Sequence, residues 1–214
     1  MAVQTDSRYV NMVTSRKVEQ GQATRRELIA IATRLFVAHG YQGTSIEAVL
    51  READISRGAL YHHFDGKEAL FEAVLDQVEA YIAEKLAAAA QGVGDPVDAL
   101  RAGCRAWLRL AREPTVRRIV LLDAPAVVGW ERWREIDERY GFGLVKATLV
   151  AIAATGRIRK DLVDILAHML MAALTEVALV IARASDSKAA VRVGQAAVDA
   201  LLDGLFGSGA AGSR

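Results

Sequence analysis

The fold is decided by the stretch TSIEAVLREADISRGALYHHFDGK, residues 44–67, whose pattern predicts two short helices joined by a tight turn. Asp54 falls where the chain must turn, and Ser56 is placed to cap a second helix that begins at Arg57. The first helix is predicted by four apolar residues at i, i+3, i+4, i+7 spacing, after a start that Thr44 or Ser45 can cap: Ile46, Val49, Leu50 and Ala53.

The second helix has very little apolar surface. Only Leu60 and Phe64, four residues apart, form a stripe, so most of the helix faces away from the domain. In a helix-turn-helix the second helix lies in the major groove of DNA, with its first residues against the base edges. This pattern predicts a DNA-reading helix whose outward residues are Arg57, Gly58, Ala59, Tyr61, His62 and His63.

Each outward residue suits a different contact with DNA. Arg57 is the candidate for hydrogen bonding to guanine, Ala59 can contact a thymine methyl, and Gly58 lets the backbone approach closely. Phosphate contacts are predicted for Tyr61, His62, His63 and, at the start of the next helix, Lys67. A metal site at His62 and His63 is disfavoured, because neighbouring helical residues point about 100° apart. Without further support, an ordinary solvated helix face explains the same residues.

The preceding segment adds a third helix, with apolar residues at helical spacing from Leu28 to Phe36 and a stop at Gly40. The segments TRRELIAIATRLFVAHGYQGTS, residues 24–45, and ISRGALYHHFDGKEAL, residues 55–70, resemble the TetR family of transcriptional regulators. The resemblance lies in the first helix with its Gly-Tyr turn, the Tyr-x-His-Phe ending of the recognition helix, and the Lys-Glu-x-Leu opening of the fourth helix. It implies further phosphate contacts at Arg25, Thr44 and Ser45.

Two positions depart from the family pattern. Asp54 stands where family members usually carry glycine, and Leu50 where they carry a small residue. Aspartate tolerates a left-handed turn at some cost, and it adds a negative charge near DNA.

Composition bounds the function class. The 214 residues have a net charge of only +1, and residues 1–70 hold nine basic against eight acidic side chains. Non-specific coating of nucleic acid depends on phosphate neutralisation, so this balance favours a site-specific reader. Cys104 is the only cysteine of the sequence, and no apolar run of membrane-spanning length is free of charged or polar breaks. A cytoplasmic protein without membrane contact is therefore expected. No cofactor or metal is expected either. A redox role for Cys104 is the minor alternative to a small core residue.

The remaining chain is predicted to be helical throughout, which makes the fold class all-α with about nine helices. The predicted organisation is a flexible tail over 1–20, a three-helix helix-turn-helix domain over 21–66, a larger helical effector-binding and dimerisation domain over 67–206, and a flexible tail over 207–214.

The penultimate helix, LVDILAHMLMAALTEVALVIA, residues 162–182, is apolar nearly all round, which predicts burial on more than one side. One side faces its own domain, and the other needs a partner. Homodimers on two-fold DNA sites need such an interface, and the resemblance implies one formed by the last two helices. A purely internal bundle is the alternative. The candidate interface residues are Leu166, Leu170, Ala173, Val177, Val198, Leu201, Leu202 and Leu205.

The resemblance also implies that a small ligand binds among the middle helices and moves the fourth helix, which changes the separation of the two recognition helices. Candidate lining residues for an apolar or amphipathic effector are Trp107, Trp130, Trp133, Phe142 and Met169, with Cys104 and His168 as polar groups. For each of them taken alone, plain core packing is the favoured alternative. The charged residues between Glu131 and Arg139 are interpreted as a solvated helix face.

The function predicted from the sequence is a homodimeric, ligand-responsive repressor of a palindromic operator. A constitutive or architectural DNA-binding protein without an effector is the first alternative. A helical enzyme is the second, although no nucleophile and base pair, metal cluster or phosphate loop is recognisable in the sequence.

Overall fold

The structure is a computed structural model that describes residues 7–207, with side chains described from residue 18 onward. The described residues confirm the all-α class and form nine continuous helical segments. The α-helices are α1 (Ser7–Gly43), α2 (Ile46–Ala53), α3 (Arg57–His63), α4 (Gly66–Ala90), α5 (Pro96–Leu110), α6 (Ala124–Val127), α7 (Trp130–Asp137), α8 (Gly143–Ala154), α9 (Val163–Arg183) and α10 (Ser187–Phe206). A π-helical stretch (Val116–Asp123) leads into α6, another (Glu138–Phe142) joins α7 to α8, and a 3₁₀ turn (Lys160–Leu162) leads into α9.

The chain forms two compact units, and the boundary between them lies inside α4. The first unit ends at Val74 and the second begins at Leu75. The predicted boundary, at residues 66 and 67, falls earlier, at the start of α4. The difference arises because the first two turns of α4 belong to the core of the helix-turn-helix. Phe71 is fully buried, and its ring lies edge-on to the ring of Phe36, with centroids 5.2 Å apart.

The first helix begins well before the predicted start. Residues 7–20 are helical backbone, where the sequence analysis placed part of a flexible tail. The segment lacks an apolar period, but no proline interrupts it, and a helix that has already formed can extend without burying a face. The remainder of that predicted tail, residues 1–6, lies outside the described residues, as does the predicted tail over 208–214.

In the second unit α5 packs against α8, α9 and α10, and α9 also packs against α8 and α10. The segment Lys160–Arg183 is long and apolar enough to cross a membrane by length and composition, with a mean hydropathy of 2.1 over 18 residues. This apolar segment of membrane-spanning length was not recognised from the sequence. Nine residues of α9 are buried within the unit, including Leu170, Leu174 and Ala178, so it serves as a core helix of this unit.

Candidate DNA-contacting surface and effector cavity

The turn between α2 and α3 has the predicted geometry. Ser45 caps α2 by accepting a hydrogen bond from the Ala48 N–H at 3.1 Å, and Ser56 caps α3 in the same way, with the Ala59 N–H at 3.2 Å. Asp54 lies between them in the left-handed region, with φ of 52°. It is the one non-glycine residue with positive φ among the described residues, as expected where the sequence carries aspartate in place of glycine.

The α3 helix is anchored by a single stripe. Leu60 is fully buried and Phe64 nearly so. On the other faces Arg57, Gly58, Tyr61 and His62 are exposed, while Ala59 and His63 are half-buried. The structure therefore places most of the predicted DNA-reading residues on one accessible surface of the first unit.

Arg57 has an acidic partner that the sequence did not predict. The Arg57 guanidinium forms an ion pair with the Glu47 carboxylate of α2, and both side chains are 60% exposed. The pKa of Glu47 is lowered, first by a hydrogen bond to the backbone and then by the charge and hydrogen bond of Arg57. The spacing of ten residues across a helix-turn-helix is the only sequence signal for this pair. In the structure the predicted guanine-reading side chain is held by an acidic neighbour.

Thr44 has a different role from the one implied by the resemblance. Its side chain is buried, and its hydroxyl is within hydrogen-bonding distance of the Gly40 carbonyl at 2.8 Å and the Leu35 carbonyl at 3.1 Å. Gly40 has φ of 72° and ends the regular part of α1. Since the Thr44 hydroxyl donates to these carbonyls, it fixes the chain between α1 and α2 and does not present a free donor to phosphate. Ser45 remains exposed.

Two basic side chains of this unit lie on aromatic rings. The Arg25 guanidinium lies 5.1 Å from the centroid of the Phe64 ring, and the Lys67 ammonium lies 4.0 Å from that of Tyr41. Partial burial lowers the pKa of Lys67. Cation–π contacts of this kind orient a charge at the cost of some freedom, so both cations are held against aromatic side chains of the first unit.

The second unit contains a cavity of about 100 Å³, lined by α4, α5, α8 and α9 and by the junction of α7 with the following π-turn. Two of the predicted ligand residues, Cys104 and Trp107, line it. The Trp107 indole N–H donates to the Leu174 carbonyl at 3.2 Å. Burial raises the pKa of the Cys104 thiol to about 12, so this group stays protonated and is a poor nucleophile at neutral pH.

Two acidic residues line the same cavity. Glu79 is 2% exposed, and its Oε1 has no hydrogen-bond partner. Burial raises its pKa to about 8, with further contributions from Asp137 and Asp76. Burial likewise raises the pKa of Asp137 to about 6. Glu79 was not predicted from the sequence, and Asp137 was predicted to lie on a solvated face. The available signal was that Glu79 lies on the apolar stripe of α4, between Leu75 and Ile82.

The other predicted ligand residues lie elsewhere. Trp130 and Trp133 line a second space of about 210 Å³, which shares Asp137, Met171 and Thr175 with the first. Trp133 is buried, whereas Trp130 is 55% exposed. The Phe142 ring lies 4.6 Å from the ring of His168, and neither residue lines either of these two spaces. Met169 is 59% exposed on the outer side of α9, so it is not a lining residue. An aromatic residue in a helix does not reveal from sequence which side it faces.

The predicted dimer residues need a similar correction. Leu166, Leu170, Val198 and Leu202 are buried within their own subunit. Ala173, Val177 and Leu205 are half-buried, and only Leu201 is exposed. The exposed apolar residues of the last two helices form what we name the outer stripe: Leu162, Ile165, Met169 and Val180 at α9, with Val193 and Leu201 of α10. The sequence predicted pairing through α9 and α10, but four of the eight named residues face the core of their own unit, because α9 is apolar on every side.

Ion pairs fix which side of α10 faces inward. Arg101 of α5 donates to Asp199 at 3.0 Å and to Asp203 at 2.6 Å, and Arg105 donates to Asp199 at 2.6 Å. Since α10 presents these carboxylates to α5, its apolar residues Val193 and Leu201 are left facing outward.

Comparisons with known proteins cover most of the chain. Residues 28–74 match the family described as bacterial regulatory proteins, tetR family, and residues 97–205 match the tetracyclin repressor-like C-terminal domain. A solved TetR-family transcriptional regulator from Pectobacterium atrosepticum is 33% identical, with a TM-score of 0.78, over 89% of this chain and 97% of that one.

Two curated relatives match over shorter stretches. The HTH-type transcriptional regulator LmrA of Bacillus subtilis is 34% identical over 37% of this chain and 43% of its own length. The transposon Tn10 TetC protein of Escherichia coli is 26% identical over 71% of this chain and 77% of its own length. The match to LmrA thus spans less than half of that relative.

Proposed function

The chain belongs to the TetR family of bacterial transcriptional regulators, and on this premise we propose that it is a homodimeric repressor, released from a palindromic operator by a small ligand. The observation that carries the proposal is α3, a capped helix held by Leu60 and Phe64 alone, with Arg57, Tyr61 and His62 exposed beside it. An exposed helix of this kind fits the major groove of DNA.

We propose that α3 reads the operator in two ways. Arg57 leaves Glu47 and donates to the O6 and N7 acceptors of a guanine, while Ala59 meets a neighbouring base edge. Positioning on the sugar-phosphate backbone falls to the surrounding donors, which carry no sequence information themselves. These donors are Arg25, Ser45, Tyr61, His62, His63 and Lys67. Thr44 contributes by holding the turn in place.

The partner that completes the operator-binding unit is a second copy of the chain. Two recognition helices must be spaced to fit successive major grooves, which requires a fixed two-fold interface. The outer stripe of α9 and α10 supports this, because its apolar side chains are accessible and its two helices are already fixed against α5. Four helices, two from each copy, would cover it.

The ligand site is the cavity of the second unit. The helix α4 lines the cavity and is also the next helix after α3 in the chain. A ligand that prefers one arrangement of α4 shifts the protein towards that arrangement. Since repression requires contact with the chromosome, we propose a cytoplasmic location, and regulation with no enzymatic turnover.

The proposal is tested by selecting bound sequences from a random duplex pool with the purified protein, then measuring affinity for the selected and for scrambled duplexes across a salt series. Arg57→Ala should relax base preference at one position of each half-site. Lys67→Ala should weaken binding to all duplexes and flatten the salt dependence. Arg109→Ala, an exposed arginine of α5, is the matched control and should change neither.

Equal losses on selected and scrambled duplexes for Arg57→Ala would contradict the assignment of that residue. Recovery of no preferred sequence by the parent protein would contradict the function itself. An effector-independent DNA-binding protein is the second candidate, and the largely apolar cavity with the buried, unpartnered Oε1 of Glu79 in its lining argues against it. A screen in which no small molecule changes operator affinity would favour it.

A further inference from the structure

Glu79 is the most unusual side chain of the second unit. It lies in the middle of α4 with 2% of its surface exposed, and its Oε1 has no hydrogen-bond partner. A buried carboxyl oxygen without a partner costs free energy, and such groups are rare in folded proteins unless they serve a purpose. Glu79 lines the cavity, so a molecule inside the cavity can reach it.

The surroundings of Glu79 concentrate negative charge. Asp137 lines the same cavity, and Asp76 lies close enough to raise the pKa of Glu79 further. Asp76 already has partners, since it accepts from the Tyr140 hydroxyl at 2.7 Å and pairs with Arg139 at 3.6 Å. Unlike Asp76, Glu79 has a buried carboxyl oxygen, Oε1, with no hydrogen-bond partner among the described residues.

Among the residues that the structure describes, no basic side chain lines the cavity. Its lining contains no lysine, arginine or histidine, and the remaining walls are mainly apolar, with Leu86, Leu100, Trp107, Leu144 and Val145 among them. The nearby Arg134 pairs with Glu138 at 3.1 Å. At pH 7.5 Asp137 is above its pKa of about 6 and carries a negative charge, whereas Glu79 is largely protonated until a cation lies beside it. An anionic ligand would be repelled here, whereas a positive charge would be attracted to Asp137 and would favour the ionised form of Glu79.

We propose that the effector cavity binds an organic ammonium ion, whose N–H groups donate to Glu79 and Asp137 while its apolar body packs against Trp107 and the aliphatic wall. The inference deepens the proposed function and rests on it for the claim that the ligand is an effector. Cations are attracted to the face of an indole ring, so Trp107 suits the same ligand class.

The size of the cavity limits the apolar body. A dry cavity of roughly 150 Å³ accommodates benzene in another protein. The cavity here measures about 100 Å³, and the second space of about 210 Å³ shares Asp137, Met171 and Thr175 with it. A single aromatic ring on a short chain is therefore a suitable probe, since small movements of Met171 would let it extend into the second space.

The experiment measures binding of three probes of similar size to the full chain by calorimetry at pH 7.5. The probes are 2-phenylethylammonium, the neutral 2-phenylethanol and the anion 3-phenylpropionate. The ammonium ion should bind at least about tenfold more tightly than the alcohol, as expected for a charge-assisted hydrogen bond in a buried site. The carboxylate should bind more weakly than either.

Variants assign the effect to the carboxyl group. Glu79→Gln keeps the shape but cannot ionise beside a bound cation, so it should lower affinity for the ammonium ion about tenfold or more and leave the alcohol nearly unchanged. Asp137→Asn should act in the same direction, which keeps the test informative if one variant folds poorly. Glu84→Gln, an exposed position of the same helix outside the cavity, is the control and should change nothing.

The proposal is overturned if the alcohol or the carboxylate binds as tightly as the ammonium ion, if none of the three binds, or if Glu79→Gln and Asp137→Asn both leave ammonium binding intact. Operator affinity is measured separately on the same preparations. A protein that binds its operator but ignores the ammonium ion refutes this inference alone. A protein that selects no operator, yet binds the ammonium ion through Glu79, refutes the proposed function and leaves the ligand class standing.

Discussion

Replacing Ile165 by aspartate should split the dimer and, with it, binding to the full operator. Ile165 lies on the outer stripe of α9 with 55% of its surface exposed, and Met169 follows one turn later with 59% exposed. Neither side chain supports the core of its own subunit to any great extent. The substitution should therefore act on association far more than on folding.

The magnitude follows from the exposed surface. Full burial of an isoleucine side chain contributes about 2 kcal/mol, so covering just over half of it contributes about 1 kcal/mol in each copy. A carboxylate deprived of water in the same place costs several kcal/mol more, and two-fold symmetry places the change twice in one interface. A total of about 4 kcal/mol or more raises the dissociation constant of the dimer by roughly a thousandfold.

Sedimentation velocity across a concentration series measures this constant, and fluorescence anisotropy measures affinity for the full operator. Val93→Asp is the control, because Val93 is an exposed apolar residue of the loop between α4 and α5 and lies outside α9 and α10. It should remain dimeric. The reasoning is refuted if Ile165→Asp sediments as the parent does, or if Val93→Asp dissociates to the same extent.

Three further outcomes are expected. Glu47→Gln should tighten operator binding by up to about fivefold, because Arg57 loses its competing ion pair, as measured by anisotropy at fixed salt. Gly194→Ala should lower the free energy of unfolding by a net ~1 kcal/mol. The new Cβ would lie 2.9 Å from a valine methyl of α9, and such overpacking costs ~1–3 kcal/mol. The better helix propensity of alanine offsets ~1 kcal/mol of this cost. The parent should lose up to ~1.4 kcal/mol of stability per pH unit as pH rises from about 5 to 8, and Glu79→Gln should abolish this loss.

Each outcome has a contrasting measurement. Gly103→Ala, in α5 with nothing within 4 Å of its Cβ, should instead stabilise by ~0.5–1 kcal/mol in denaturant titrations, and parallel destabilisation of both variants would contradict the packing argument. The sign for Glu79 follows from its raised pKa, since folding favours the protonated form and that advantage fades as pH rises through the folded value. Identical pH profiles for parent and variant would contradict it. Unchanged or weaker operator binding by Glu47→Gln would show that Glu47 does not compete for Arg57.

Local chemistry explains why the helix-turn-helix was predictable. Ser45 and Ser56 each accept a hydrogen bond from the backbone N–H three residues further along the chain, and Asp54 lies in the turn between the two helices. The structure has each in its predicted role. The exposure of α3 was likewise predictable, because so few of its residues are apolar. The burial of Thr44 was not predictable, since it depends on how the chain crosses over Gly40.

The sequence by itself determined the all-α class, the capped α2 and α3, the exposed reading helix and the two helices available for pairing. These features depend on neighbours within about a turn, so residue spacing specifies them. Only the tertiary structure decided which side of α9 faces outward, that Glu47 holds Arg57, and that Glu79 and Asp137 meet in one apolar cavity. Those choices depend on how separate helices pack. A helix that is apolar all round, or an acid placed on an apolar stripe, satisfies local rules equally well in several packings, and only the assembled core selects one.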